Sequence, residues 1–170
     1  MINKRGLSGT VTVVILIAIS IALVGVVWGV VQNMVQGNLD ESAACSSLFT
    51  DAAVELNNRY TCYDTTDIYF AIDVGDIEIE AILVTVEGVA TTKTYRLDSV
   101  SSFTNLVLYD NAPALMPAKN SGLTYNLSAS TEGLAGPYGI GIRPVINGYT
   151  CNEISRIDGL DNCILIPGFP

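Results

Sequence analysis

VTVVILIAISIALVGVVWGVV, residues 11–31, decides how this 170-residue chain is organised. Only Thr12 and Ser20 interrupt it with polar side chains, and 34 consecutive residues between Arg5 and Asp40 carry no charge. At about 1.5 Å per residue a 21-residue helix spans roughly 32 Å, the thickness of a hydrocarbon core of about 30 Å. Lys4 and Arg5 precede the run, and Asp40 and Glu41 follow it. The positive end stays in the cytoplasm, so everything after about residue 36 is expected outside. The run is too long for a cleaved secretory signal, whose apolar stretch covers about 7–15 residues. The nearest small-residue site, Ser42-Ala43-Ala44 before Cys45, lies 11 residues beyond Val31.

Composition removes several function classes. Eight Lys plus Arg stand against 17 Asp plus Glu, for a formal charge of −9 and a pI near 4.2. Phosphate-backbone binding rests on many basic contacts, so nucleic acid is not an expected partner. The chain has no histidine. Ser-His-Asp and Cys-His catalysis and imidazole-containing zinc sites each need a ring nitrogen, and no other catalytic constellation or cofactor motif stands out. The chain does not read as an enzyme.

Met1-Ile2-Asn3-Lys4-Arg5-Gly6 is a short polar leader ending in two basic residues and a glycine, and Leu7-Ser8-Gly9-Thr10 carries it into the apolar run. It resembles the class III leader of archaeal type IV pilins and archaellins, which a prepilin peptidase cuts after the glycine on the cytoplasmic side. The resemblance implies cleavage between Gly6 and Leu7, with Lys4 and Arg5 as recognition residues. It also implies that the apolar segment stays on the mature chain. The fifth mature position, a glutamate in bacterial type IV pilins, is Val11 here, which favours the archaeal branch.

Ala18, Ala22, Gly25 and Gly29 recur at intervals of four, three and four, on one face of a helix, and Gly25 and Gly29 form a GxxxG pair. Such a stripe lets helix backbones approach closely, as a subunit packed among its own copies requires.

From Asn33 to Asn58 the residues become small and polar, and Asp40-Glu41-Ser42-Ala43-Ala44 reads as a linker or a frayed helix end. Beyond Tyr60, β-branched and aromatic residues come in short runs between turn signals. Ile68, Phe70 and Ile72 alternate with Tyr69, Ala71 and Asp73, and Gly75-Asp76 is expected to turn a hairpin into a central strand over Ile77–Val86, covered on both faces. Further strands are expected at Val89–Leu97, Thr104–Tyr109, Leu123–Ser128, Tyr138–Ile146 and Tyr149–Ile154. About seven short strands argue for a β-sandwich.

Cys45, Cys62, Cys151 and Cys163 all lie in the region expected outside, where disulfides persist. Short loops close at least entropic cost, which favours Cys45–Cys62 with Cys151–Cys163, each worth about 3 kcal/mol. Spacings of 17 and 12 residues do not suit a four-cysteine zinc site. Asp158-Gly159-Leu160-Asp161-Asn162 is oxygen-rich but lacks the ligand order of an EF-hand, so it reads as a solvated turn. Glu78 and Glu80 share one face of a strand and read as an open polar face. Asn126-Leu127-Ser128 is a glycosylation sequon, with Asn126 on the polar side of its strand.

The expected fold is α+β, a long N-terminal hydrophobic α-helix followed by an antiparallel β-sandwich domain. Residues 1–6 form the leader, 7–38 the assembly or transmembrane helix, and 39–170 the exported, disulfide-stapled domain. The resemblance implies a structural subunit of an archaeal pilus-like or archaellum-like surface filament, held in the cytoplasmic membrane before assembly. Its implied partners are its own copies, the prepilin peptidase and the assembly machinery. The other reading is an exported β-sandwich binding or adhesion module that stays anchored and does not polymerise.

Overall fold

Arg5–Ser46 form one continuous α-helix, α1, of 42 residues. No proline occurs before Pro113, and the apolar residues of the run tolerate the helix. Ser20 satisfies its hydroxyl inside the helix by donating to the Leu16 carbonyl at 2.8 Å, so the polar side chain leaves no open donor in an apolar setting. The segment Asp40-Glu41-Ser42-Ala43-Ala44 is the end of this helix and not a linker. The computed structural model describes residues 5–46, 48, 53–136 and 138–165. The chain divides into two units, Met1–Ser42 and Ala43–Pro170, so the last turn of α1 belongs with the β domain.

Among the described residues that domain contains ten short strands: β1 (Val54–Leu56), β2 (Cys62–Tyr63), β3 (Asp67–Val74), β4 (Ala81–Glu87), β5 (Thr92–Leu97), β6 (Leu106–Leu108), β7 (Ser121–Ser128), β8 (Gly139–Ile146), β9 (Tyr149–Thr150) and β10 (Ser155–Asp158). A single helical turn, α2 (Ala129–Glu132), follows β7. One sheet has the order β1-β3-β7-β6 with β2 also on β3, and the other has β10-β8-β4-β5 with β9 also on β8. Every pairing of these strands is antiparallel. The α+β expectation therefore holds, with a sandwich-like domain after the helix.

Register follows from the two-residue period of the side chains. In the first sheet Ile68, Phe70 and Ile72 stand opposite Leu127, Tyr125 and Leu123, which puts one apolar face inward. Phe70 stacks on Tyr125 with ring centroids 5.1 Å apart, and the buried Tyr125 hydroxyl donates to the Leu115 carbonyl. The second sheet contributes Ile82, Val84, Val86, Leu97, Ile140 and Ile142, all fully buried. Each such side chain is worth about 1.5–3 kcal/mol of burial, which is the main term holding the sheets together. Asn147 and Gly148 both have positive φ, the combination that a tight β8–β9 turn requires.

Several strand expectations need correction. Gly75-Asp76 does not turn a hairpin: β3 pairs with β1, β2 and β7, whereas β4 pairs with β5 and β8 in the other sheet. Ile77-Glu78-Ile79-Glu80 lies in the crossover between them. Ile77 and Ile79 pack against the core from this loop, so the alternation reflects burial of one side without strand pairing. β4 is central in its sheet, but Leu83, Thr85 and Glu87 on its second face are only partly covered. The segment expected as one strand at Tyr149–Ile154 contains β9 alone, and β10 begins after it.

Candidate functional site

The first candidate is α1. Lys4 lies outside the described residues, and Arg5, Gly6 and Leu7 form the start of the helix. Large apolar side chains are exposed around its whole circumference, from Val11 through Leu39. An all-round apolar helix belongs in lipid or among other helices. It is long and apolar enough to cross a membrane. At 100° per residue Ala18, Ala22, Gly25 and Gly29 fall within an arc of about 60°. A Cβ placed on Gly25 or Gly29 meets nothing within 4 Å, so these glycines are not required by packing within the single chain.

The cysteines are all paired, but not as their spacing suggests. Cys45 is bonded to Cys151 and Cys62 to Cys163, in place of the expected Cys45–Cys62 and Cys151–Cys163. The minimum-loop argument fails because the sheets choose the partners. The Tyr63 N–H donates to the Asp161 carbonyl, which brings β2 beside the segment after β10 and puts Cys62 next to Cys163. The Cys151 N–H donates to the Pro144 carbonyl of β8, where the last turn of α1 meets it through Cys45. Sequence separations of 106 and 101 raise the chain-entropy contribution of a single bridge to about 4.7 kcal/mol. Two disulfides in the domain suit an oxidising compartment.

On the outer face of the first sheet, Asn126 stands between Tyr69 of β3 and Val107 of β6. The residue is half-buried, as the alternation predicts. Its Oδ1 is enclosed without a hydrogen-bond partner. Tyr109, 46% exposed, meets Tyr69 edge to face with centroids 6.0 Å apart. Burial, then the nearby Asp67 and Asp64, raise the Tyr69 phenol above its ordinary value. An open cleft of about 240 Å³ lies beside Tyr109, lined also by Asp110, Gly122 and Thr124.

The outer face of the second sheet is electrostatic. Arg156 of β10 reaches across β8 to the Glu87 carboxylate and also pairs with Glu153 and Asp158. Gly139 and Gly141 open the path: a Cβ on Gly139 would lie 3.2 Å from the Asp158 carboxylate, and one on Gly141 would collide with the Glu153 carboxylate. The guanidinium holds Glu87 below the usual carboxylate range.

Glu78 and Glu80 are both exposed in the crossover, and Glu80 accepts from the Gly148 N–H. They do not lie on a strand. In the 158–162 loop, Asp158 is engaged by Arg156, Leu160 is buried, and Asn162 accepts from the Ile164 N–H, so these groups are used to shape a turn. Among the described residues no cluster of three or more His, Cys, Asp or Glu could hold a metal.

Sequence reasoning missed the Tyr69–Tyr109 pair, because the two residues lie 40 positions apart and only the β3–β7–β6 order brings them together. Comparison of the chain with protein-family models, with curated proteins and with solved structures returns no match.

Proposed function

We propose that this protein is a structural subunit of an archaeal pilus-like or archaellum-like surface filament, assembled through α1. The observation that carries the reading is the junction of a Lys4-Arg5-Gly6 leader with a helix that is apolar all round and bears small residues on one stripe. Cleavage after Gly6 would leave Leu7 at the mature N-terminus, and the helix would then move from the membrane into a fibre core. There its exposed apolar surface would be covered by other copies. The disulfide-stapled β domain would form the outer surface.

The test is imaging of material sheared from the cell surface, with mass spectrometry of its N-terminus. Filaments whose subunit begins at Leu7 are expected. The variant Gly25→Leu with Gly29→Leu is expected to insert in the membrane at least as well as wild type, because leucine favours insertion by roughly 0.3–0.6 kcal/mol per residue. It should form no filaments, since branched side chains hold the backbones apart along the stripe. Wild-type filaments from this variant would remove the stripe as an assembly face. Retention of Met1 in the polymer would remove the leader argument. Membrane-bound protein without any polymer would establish the anchored adhesion module instead.

A further inference from the structure

We propose that the exported domain reaches its native disulfides through a thiol–disulfide exchange step, and that its partner in that step is an exported exchange protein carrying a reactive thiolate. The proposal rests on export of the domain and not on polymerisation. The four cysteines pair first with third and second with fourth, so the two loops interleave in sequence. Neighbouring cysteines close far shorter loops, 17 positions for Cys45 with Cys62 and 12 for Cys151 with Cys163. Loop closure falls roughly as the −3/2 power of length, so an unfolded chain favours Cys45–Cys62 over Cys45–Cys151 by about 15-fold and Cys151–Cys163 over Cys62–Cys163 by about 25-fold. A chain held by α1 with its N-terminus inside also emerges in sequence order, so Cys45 and Cys62 meet the oxidising side before Cys151.

The short loops do not fit the folded sheets. Cys151 lies beside Pro144, whose carbonyl accepts from its N–H, and Cys62 lies at the other end of β8, where Tyr63 meets Tyr138 with ring centroids 5.4 Å apart. Tyr138 and Pro144 are six positions apart, about 20 Å of extended chain. A disulfide needs Cα atoms within about 7 Å, so Cys45, bonded at the Pro144 end, is out of reach of Cys62 once the sheets have formed. Cys62 and Cys151 are then buried, whereas Cys45 and Cys163 are half-buried, so exchange has to precede closure of the core. With both short loops closed none of the four cysteines is a free thiol, and the attacking thiolate has to come from outside the chain.

Closing each short loop passes two electrons and two protons to an exported disulfide-bearing oxidoreductase. In the exchange, the partner's thiolate attacks Cys45 of the Cys45–Cys62 bond, forming a mixed disulfide and releasing Cys62. The Cys62 thiolate attacks Cys163, which makes one native bridge and releases Cys151. The Cys151 thiolate attacks the mixed disulfide at Cys45, which makes the other bridge and returns the partner's thiolate. Two bonds are replaced by two with no net oxidation.

The experiment dilutes the reduced, unfolded full chain into detergent micelles with copper–phenanthroline as oxidant. Oxidation is stopped by chelation, and reduced glutathione is then added or withheld. Samples are quenched with N-ethylmaleimide for non-reducing peptide mapping. Before glutathione is added, the short-loop pairs should outnumber the native ones by at least about 5-fold. Native pairs should then accumulate only where glutathione is present. Native pairs in the majority beforehand, or conversion at the same rate without glutathione, overturns the exchange step. Cys45→Ser with Cys151→Ser leaves Cys62 and Cys163 no wrong partner, so their bond should form without glutathione; a glutathione requirement here also overturns it. If this variant aggregates, the wild-type chain alone decides. In cells, N-ethylmaleimide trapping of newly made chain should show Cys45–Cys62 early and lose it on chase, and native pairs alone at the earliest time overturn the need for a partner. Filament imaging is a separate readout, so loss of either reading leaves the other standing.

Discussion

Gly88 sits just past β4, where the chain turns toward β5, and it has a neighbour that a side chain cannot displace. A Cβ there would lie 2.8 Å from the Ala135 carbonyl oxygen and 3.1 Å from the Ala135 nitrogen, both backbone atoms. Gly88→Ala is therefore expected to destabilise the domain by about 1–3 kcal/mol, the usual range for overpacking, as read by denaturant unfolding with the disulfides intact. Acid provides a second residue-scale prediction. Hydrogen bonds from Asn105 and then Lys93 hold Glu132 below its ordinary value. Ser101 and the Val100 N–H lower Asp98, Lys119 lowers Asp76, and Arg156 lowers Glu87. A depressed carboxylate contributes stability above the unfolded value of about 4 and loses it as pH falls through the folded value. Thermal midpoints should stay level from neutral pH to about 5 and drop below about 4. Tyr69 works in the other direction, because a raised phenol contributes below about 10 and loses its contribution as pH rises further.

Among the elements, the last turn of α1 shows most directly how tertiary contacts replace local signals. It contains no basic residue to answer the helix dipole, and Asp40 and Glu41 lie near this end. Cys45 secures the turn by its bond to Cys151. Non-reducing peptide mapping should recover Cys45 with Cys151 and Cys62 with Cys163, and Cys45→Ser with Cys151→Ser should cost about 2–5 kcal/mol of stability. Any Cys45–Cys62 peptide from folded protein would contradict this arrangement. The elements themselves were legible wherever one side of the chain is dry: Ile68, Phe70 and Ile72 identify β3, and Tyr95 with Leu97 identifies β5. Ile77 and Ile79 misled for the same reason, since a loop closing one end of the core alternates as a strand does. β1 and β2 are three and two residues long and escaped notice because so short a run has no period to read.

For the whole molecule, α+β architecture could be read from the sequence because a 21-residue apolar run and a field of short β-forming segments differ in kind. Cysteine pairing could not, because it depends on how two sheets of non-consecutive strands come together. The candidate sites divide in the same way: the leader and the helix stripe are contiguous in sequence, whereas the tyrosines beside Asn126 meet only after folding. Removal of residues 1–6 would take away Lys4 and Arg5, leaving six basic residues against 17 acidic ones, a formal charge of −11. Domains so charged repel one another at low ionic strength, and salt shortens that repulsion to about 8 Å at 0.15 M.

The bond between Cys45 and Cys151 also limits how far the protein can be stretched. A pull that enters at Cys45 and leaves at Cys163 crosses that bond and then only the 12 residues from Cys151 to Cys163, although the two points are 118 residues apart along the backbone. At about 3.3–3.6 Å per extended residue, the shorter path limits extension to roughly 40 Å, against roughly 400 Å for the uncrosslinked chain. Pairing of nearest cysteines would have left the 88 residues between Cys62 and Cys151 free to pay out. With the bonds as they are, even complete melting of both sheets leaves the end of the helix on a short leash, and a load between these two points is carried by covalent bonds before it can unravel the fold.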